Sequence, residues 1–118
     1  MSEETKPVIE YEDFSKLDLR IGKVLSAERI PGARKLLKLK VDLGPLGERQ
    51  IVAGLAEYYE PDHFIGKYIV VVANLRPRKL RGELSEGMLL AAGCDPGDKP
   101  VLLVPEDPEK ARPGERVC

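Results

Sequence analysis

Leu19-Arg-Ile-Gly-Lys-Val-Leu-Ser-Ala-Glu-Arg-Ile30, a Pro31-Gly32 turn, and Leu37-Lys-Leu-Lys-Val-Asp-Leu43 decide the architecture. In the second run Leu37, Leu39, Val41 and Leu43 alternate with Lys38, Lys40 and Asp42, the period-2 pattern of a strand with one face in a core and one in water. In the first run Leu19 and Ile21 share a face, and after Gly22-Lys23 the apolar phase moves to Val24. A glycine where the phase slips predicts a bend or bulge, as at the corner of a small barrel.

The pattern continues outward from this hairpin. Gly44-Pro45-Leu46-Gly47 turns the chain into a third strand, where Ile51, Ala53 and Leu55 alternate with Gln50 and Val52. Residues 56–66 read as a short helix or loop, with Pro61 suited to a first turn and Gly66 to a stop. Tyr68–Ala73 is a continuous apolar run, expected to be a strand buried on both sides. Gly87–Ala92 and Val101–Val104 read as the last strands. On the N-terminal side, Tyr11, Phe14 and Leu17 at helical spacing predict a short helical turn docked by one face. There is no βαβ repeat and no long helix. The prediction is an all-β, five-stranded OB-fold barrel with a short N-terminal helix and a C-terminal extension. Its expected divisions are an acidic arm over 1–13, the OB domain over 14–104 and a tail over 105–118. The tail region Gly97–Cys118, with Val101–Val104, is expected to supply either a dimer strand or a strand completing the barrel within one chain.

The 118 residues and 13.1 kDa suit one domain. No apolar run approaches the roughly 20 residues a membrane helix requires. The acidic opening Met1–Lys6 is not expected to act as a secretory leader, and Cys94 and Cys118 form no CxxC pair, so the expected compartment is the cytoplasm, with no zinc site or disulfide framework. Asn and Gln occur once each, as Asn74 and Gln50, amid abundant Lys, Arg, Glu and Pro, a usage that resembles a thermophile's.

The formal net charge of −1 conceals a strong asymmetry. Residues 1–13 carry one basic against five acidic side chains (−4), residues 14–81 fourteen against seven (+7), and residues 82–118 four against eight (−4). A basic middle with acidic ends suits a cationic face for a polyanion. Catalytic chemistry is poorly supplied. His63 is the lone histidine and reads as a surface residue; Cys94 lies in a turn-like segment with no activating base; no Walker loop or GxGxxG implies a cofactor. The densest cationic feature is Asn74-Leu-Arg-Pro-Arg-Lys-Leu-Arg-Gly82, a loop leaving the buried strand with Arg76, Arg78, Lys79 and Arg81. Arginine forks match phosphate, and Pro77 stiffens the loop. Arg34, Lys35, Lys38 and Lys40 are expected to extend the patch. All six aromatic residues lie outside these basic segments, so backbone and shape recognition of a folded RNA is expected rather than base stacking on rings.

Phe14–Val24, Lys38–Leu43, Ile51–Leu55, Val71–Gly82 and Ser85-Glu-Gly-Met-Leu-Leu-Ala-Ala92 together resemble the tRNA-binding domain family, the OB-fold module appended to methionyl-tRNA synthetases and found in endothelial-monocyte-activating-polypeptide-like proteins. The resemblance covers about residues 10–104 and is carried most specifically by the Asn-Leu-x-Pro-x-Lys-Leu-x-Gly run followed by Ser-x-Gly-Met. It implies a non-catalytic protein that binds the outside corner of tRNA by structure, and free-standing members that form homodimers through their N- and C-terminal extensions. It also implies that Asn74, Arg78, Lys79, Arg81, Ser85 and Met88 line the RNA site. Lys79 and the arginines would hold phosphate, Asn74 and Ser85 would hydrogen-bond sugar or base edges, and Met88 would give an apolar contact to a base. The first hairpin departs from the family's His-Pro-Asn-Ala-Asp-Lys-Leu: here it is Ile30-Pro-Gly-Ala-Arg-Lys-Leu36, and Arg34 replaces an acid. Ala53 stands where many members have serine. Two further readings go with the resemblance. One is a β-subunit lending tRNA affinity to methionyl-tRNA synthetase in trans. The other is a secretion-related chaperone that binds unfolded polypeptide.

Overall fold

The computed structural model describes residues 5–118; the part of the acidic-arm expectation that rests on Glu3 and Glu4 lies outside the described residues. A single five-residue helix, α1 (Tyr11–Ser15), leads into β1 (Leu19–Ile30), β2 (Ala33–Asp42) and β3 (Glu48–Ala53). A 3-10 turn at Pro61–His63 precedes β4 (Tyr68–Val72). Short strands follow: β5 (Arg78–Leu80), β6 (Glu83–Ser85), β7 (Met88–Leu89), β8 (Ala91–Ala92), β9 (Val101–Leu102) and β10 (Arg116–Val117). The main sheet is antiparallel, in the order β3-β2-β1-β4-β7, with β10 also on β1. The all-β class and the one short helix expected from the sequence are therefore present, with an antiparallel sheet as the main layer.

The alternation along β2 and into the residue after it is realised: Leu37, Leu39, Val41 and Leu43 are wholly buried. They meet Val24, Ile51, Phe64, Ile69 and Val71 in the main core. The long strand β1 serves two neighbours in turn. Residues Leu19–Lys23 pair with β4 and Lys23–Ile30 with β2. Gly22 sits at this handover, where an added Cβ would run into the Val41, Leu43 and Val71 side chains. The slip in register lies elsewhere, between Val24 and Ser26 and between Arg29 and Ile30. Gly22 thus marks a close approach of layers rather than the bulge itself.

Three expectations change, and of the two alternatives for the tail the pairing within one chain is the one observed. Val52, which alternation sets on the face opposite Ile51 and Ala53, is fully buried in a second cluster with Ile30 and Ala33, against which Leu36 and Leu80 pack. Gly87–Ala92 is not one strand: Met88–Leu89 pairs with β4, and Ala91–Ala92 with Val101–Leu102. Val101–Leu102 thus pairs within its own chain, and the end of the chain returns to β1 through Leu19↔Val117 and Arg20↔Arg116. The helical turn forms where its spacing predicts, yet none of its residues is buried; Tyr11, Phe14 and Leu17 are all exposed.

Candidate nucleic-acid interface

The basic run after β4 is a folded hairpin, not an open loop. Arg78 pairs with Ser85, Lys79 with Leu84 and Leu80 with Glu83. Arg81 (φ +52°) and Gly82 (φ +81°) make the two-residue turn. Positive φ at both central positions matches the twist of a tight hairpin. Glycine adopts it freely, while a residue with a Cβ gives up about 1–2 kcal/mol.

Polar contacts and one apolar anchor fix the hairpin over the outer face of β3. The buried Ser85 hydroxyl accepts from Val52 N–H and donates to the Gly87 carbonyl, each at 3.0 Å. Gln50 Nε2 donates to the Leu84 carbonyl at 2.8 Å, and Glu86 N–H to the Gln50 carbonyl at 2.7 Å. Glu86 Oε1 in turn accepts from Gln50 N–H at 3.1 Å. Lys38 Nζ lies 3.1 Å from Glu83 and 3.2 Å from Glu28. Hydrogen bonding to Glu83, then to Glu28, raises the lysine's pKa above its ordinary value. Leu80 reaches the Ile30–Ala33–Val52 cluster.

These contacts sort the residues singled out from sequence. Arg34, Lys35, Arg76, Arg78, Lys79 and Arg81 are exposed, and no carboxylate pairs with any of them among the described residues. Arg81 at the hairpin tip lines one depression with Arg34 and Lys35, so the two basic segments of the chain converge there. Arg76 and Arg78 line a second depression of about 450 Å³ with Leu75, Leu80 and Met88. Alternation along β5 turns Lys79 to the other side, opposite the exposed Leu84. No aromatic side chain lines either depression.

Three residues have structural partners. Ser85 is 5 % exposed with its hydroxyl engaged on both sides, so it does not offer itself to sugar or base edges. Asn74 accepts from Asp18 N–H at 2.9 Å and donates to the Lys16 carbonyl at 2.7 Å, clipping the end of α1 to the end of β4. Lys38 is held by two carboxylates rather than left free for phosphate. Leu75 and Leu80, apolar members of the second depression, escaped the sequence reading. The Arg81-Gly82 dipeptide between two three-residue runs was the available signal for the hairpin.

Away from this face, His63 ends the 3-10 turn and stacks on Tyr59 with centroids 4.5 Å apart. Desolvation, then the charges of Lys67 and Lys99, hold its pKa below the ordinary histidine value. Cys94 and Cys118 are exposed and unpaired, and no group of three metal-ligating side chains occurs among the described residues. No described helix is long and apolar enough to cross a membrane.

A family model described as "Putative tRNA binding domain" matches residues 19–116. The chain belongs to the tRNA-binding domain family. A methionine–tRNA ligase of Clostridium tetani is 57% identical over 94 residues, which are 80% of this chain and 14% of that protein. A methionine–tRNA ligase of Methanosarcina acetivorans is 51% identical over 114 residues, 97% of this chain and 16% of that protein. The chain thus spans a small fraction of these relatives. Two solved structures are similar over their whole length. The MetRS-related protein of Pyrococcus horikoshii has a TM-score of 0.86 at 36% identity, covering 96% of this chain and 100% of that one. The chaperone CsaA of Bacillus anthracis has a TM-score of 0.84 at 36% identity, covering 95% of this chain and 100% of that one.

Proposed function

We propose that this protein is a non-catalytic, structure-specific tRNA-binding module of the cytoplasm that lends tRNA affinity to a methionyl-tRNA synthetase in trans. Arg34, Lys35, Arg76, Arg78, Lys79 and Arg81 act as the phosphate ligands, and Met88 is the apolar contact. Asn74, Ser85 and Lys38 hold the elements that carry these residues. The observation that carries the reading is the convergence of Arg81 with Arg34 and Lys35 on a fixed hairpin whose own acids are engaged by Lys38 and the Gln50 backbone. Preorganised cations without carboxylate partners bind phosphate without first breaking an ion pair. The absence of rings from the face favours recognition of backbone and shape over stacked single strands. Similarity to ligases of methionine and to a MetRS-related protein supports tRNA as the nucleic acid and a synthetase as the partner.

The test is a titration of folded tRNA, unstructured single-stranded RNA and duplex DNA at two salt concentrations. Preference for folded tRNA, with affinity falling steeply as salt rises, is the expected result. Equal or absent binding across the three overturns it. Recovery of the synthetase on immobilised protein from the source's extract checks the role in trans.

The likeness to CsaA, with the groove of about 520 Å³ beside Tyr68 lined by Val104, Pro105 and Pro108, supports a chaperone as the second reading. Suppression of a client's aggregation at stoichiometric ratio, unaffected by added tRNA, would favour it.

A further inference from the structure

The second depression carries chemistry that phosphate contact alone leaves unused. Leu75, Leu80 and Met88 give it an apolar lining, and Arg76 and Arg78 stand beside them. Leu75 is 45% exposed and Met88 half-buried, so apolar surface remains open to a ligand. Its volume of about 450 Å³ falls in the range of roughly 300–1,000 Å³ typical of small-ligand sites. The hairpin's two acids do not oppose an anion here: Glu83 is engaged by Lys38 and Glu86 by the Gln50 backbone. The ligand that complements such a site has an apolar face and an attached anion.

We propose that this depression is a subsite for one unstacked nucleotide, its base against Leu75, Leu80 and Met88 and its phosphate on Arg76 and Arg78. The proposal rests on the RNA-binding reading above. A continuous A-form helix keeps its bases stacked and offers none to the site, whereas a bulged or looped-out nucleotide does. The subsite therefore makes the protein selective for folded RNA that extrudes a base, and it does so without rings. A lining of leucine and flexible methionine accepts purine and pyrimidine alike, so selection is by extrusion rather than by base identity.

The experiment uses the whole protein and two short RNA stems of equal length, one fully paired and one with a single bulged 2-aminopurine, with folded tRNA titrated in parallel. The expected result is an affinity for the bulged stem about tenfold above that for the paired stem, as burial of a leucine-sized apolar contact provides. The 2-aminopurine fluorescence rises as the base leaves its neighbours. Leu75→Ser removes the advantage of the bulged stem and leaves the salt dependence unchanged, because no phosphate contact is lost. Leu75→Met, which keeps the apolar surface, retains the advantage. If tRNA binds while the two stems bind alike, or if the advantage survives Leu75→Ser, the subsite is overturned and the RNA-binding reading stands. If neither tRNA nor either stem binds, both fall.

Discussion

Ser85 and Lys38 show how a polar residue beside a cationic face serves it without touching the ligand. The Ser85 hydroxyl is the partner of Val52 N–H on a face the hairpin covers. Ser85→Ala leaves that donor buried and unsatisfied, and such a loss costs about 1–3 kcal/mol. Urea unfolding is expected to show that decrease at unchanged m-value, since the surface exposed on unfolding hardly changes. Lys38 differs from Lys79 although both are lysines of the basic segments. Lys38 spans Glu28 and Glu83 and so ties β1 and β2 to the hairpin, whereas Lys79 is exposed with no carboxylate partner among the described residues. Lys79→Ala is expected to reduce the dependence of log affinity on log salt by about one unit, the mark of one phosphate contact. Lys38→Met weakens binding by loosening the hairpin and leaves that slope unchanged. A reduced slope in Lys38→Met would make it a phosphate ligand after all. The raised pKa of Lys38 gives a sign as well. Its contribution to stability is present below the ordinary lysine pKa and is lost as pH rises through the folded value.

At the scale of elements the hairpin β5–β6 is the informative one. Arg81 holds a left-handed conformation that costs a non-glycine residue about 1–2 kcal/mol, at the point where it joins Arg34 and Lys35. Strain of this kind persists where the side chain has a use. Arg81→Asn creates the favoured dipeptide of such a turn. It is expected to stabilise the fold by up to about 1 kcal/mol and to weaken tRNA binding with a shallower salt dependence. Thermal midpoint and titration are then predicted to move in opposite directions, and a variant that gains stability without losing affinity would remove Arg81 from the interface. This hairpin is also where the sequence was least legible. From Leu37 in β2 to Leu43 just past its end, four apolar residues alternate with polar ones, and the pattern survives folding because one sheet face meets the core. In β5 a single Leu80 stands among cations, and three residues carry no period. What fixes the hairpin is a set of long-range contacts from Ser85, Gln50, Glu86 and Lys38 that no local pattern announces. Val52 was misplaced for the same reason: its outward face is buried only once the hairpin and Leu80 lie over it. The cations themselves were legible as a cluster, because their density needs no folding to be seen. The structural duties of Asn74, Ser85 and Lys38 became visible only with their partners in place.

For the whole molecule, the opposite concern is apolar surface left open among the described residues. Ile9, Tyr11, Phe14 and Leu17 are exposed, and Val8 is fully so. A helix of five residues without a buried side chain has little stability of its own. It is held by the Asn74 clip, and Tyr11, Phe14 and Leu17 line a small depression with Val117 and Cys118 of the returning C-terminus. Clustered exposed apolar residues of this kind mark an interaction surface. A two-fold pairing of chains through this end would cover both copies with the same residues, as closed symmetric dimers do. The expected state in sedimentation is therefore a dimer. Tyr11→Ser combined with Phe14→Ser is predicted to give a monomer with its strand content intact, since neither side chain is buried in the isolated fold. The consequence reaches the RNA. Two basic faces carried by one particle bind a large folded polyanion with an avidity that one face lacks, often 10²–10⁴-fold when both engage at once. Monomerisation is accordingly expected to lower tRNA affinity while preserving the affinity for a short stem that only one face can reach. A wild-type chain that sediments as a monomer would sink the pairing, and a monomeric variant with undiminished tRNA affinity would confine recognition to a single face.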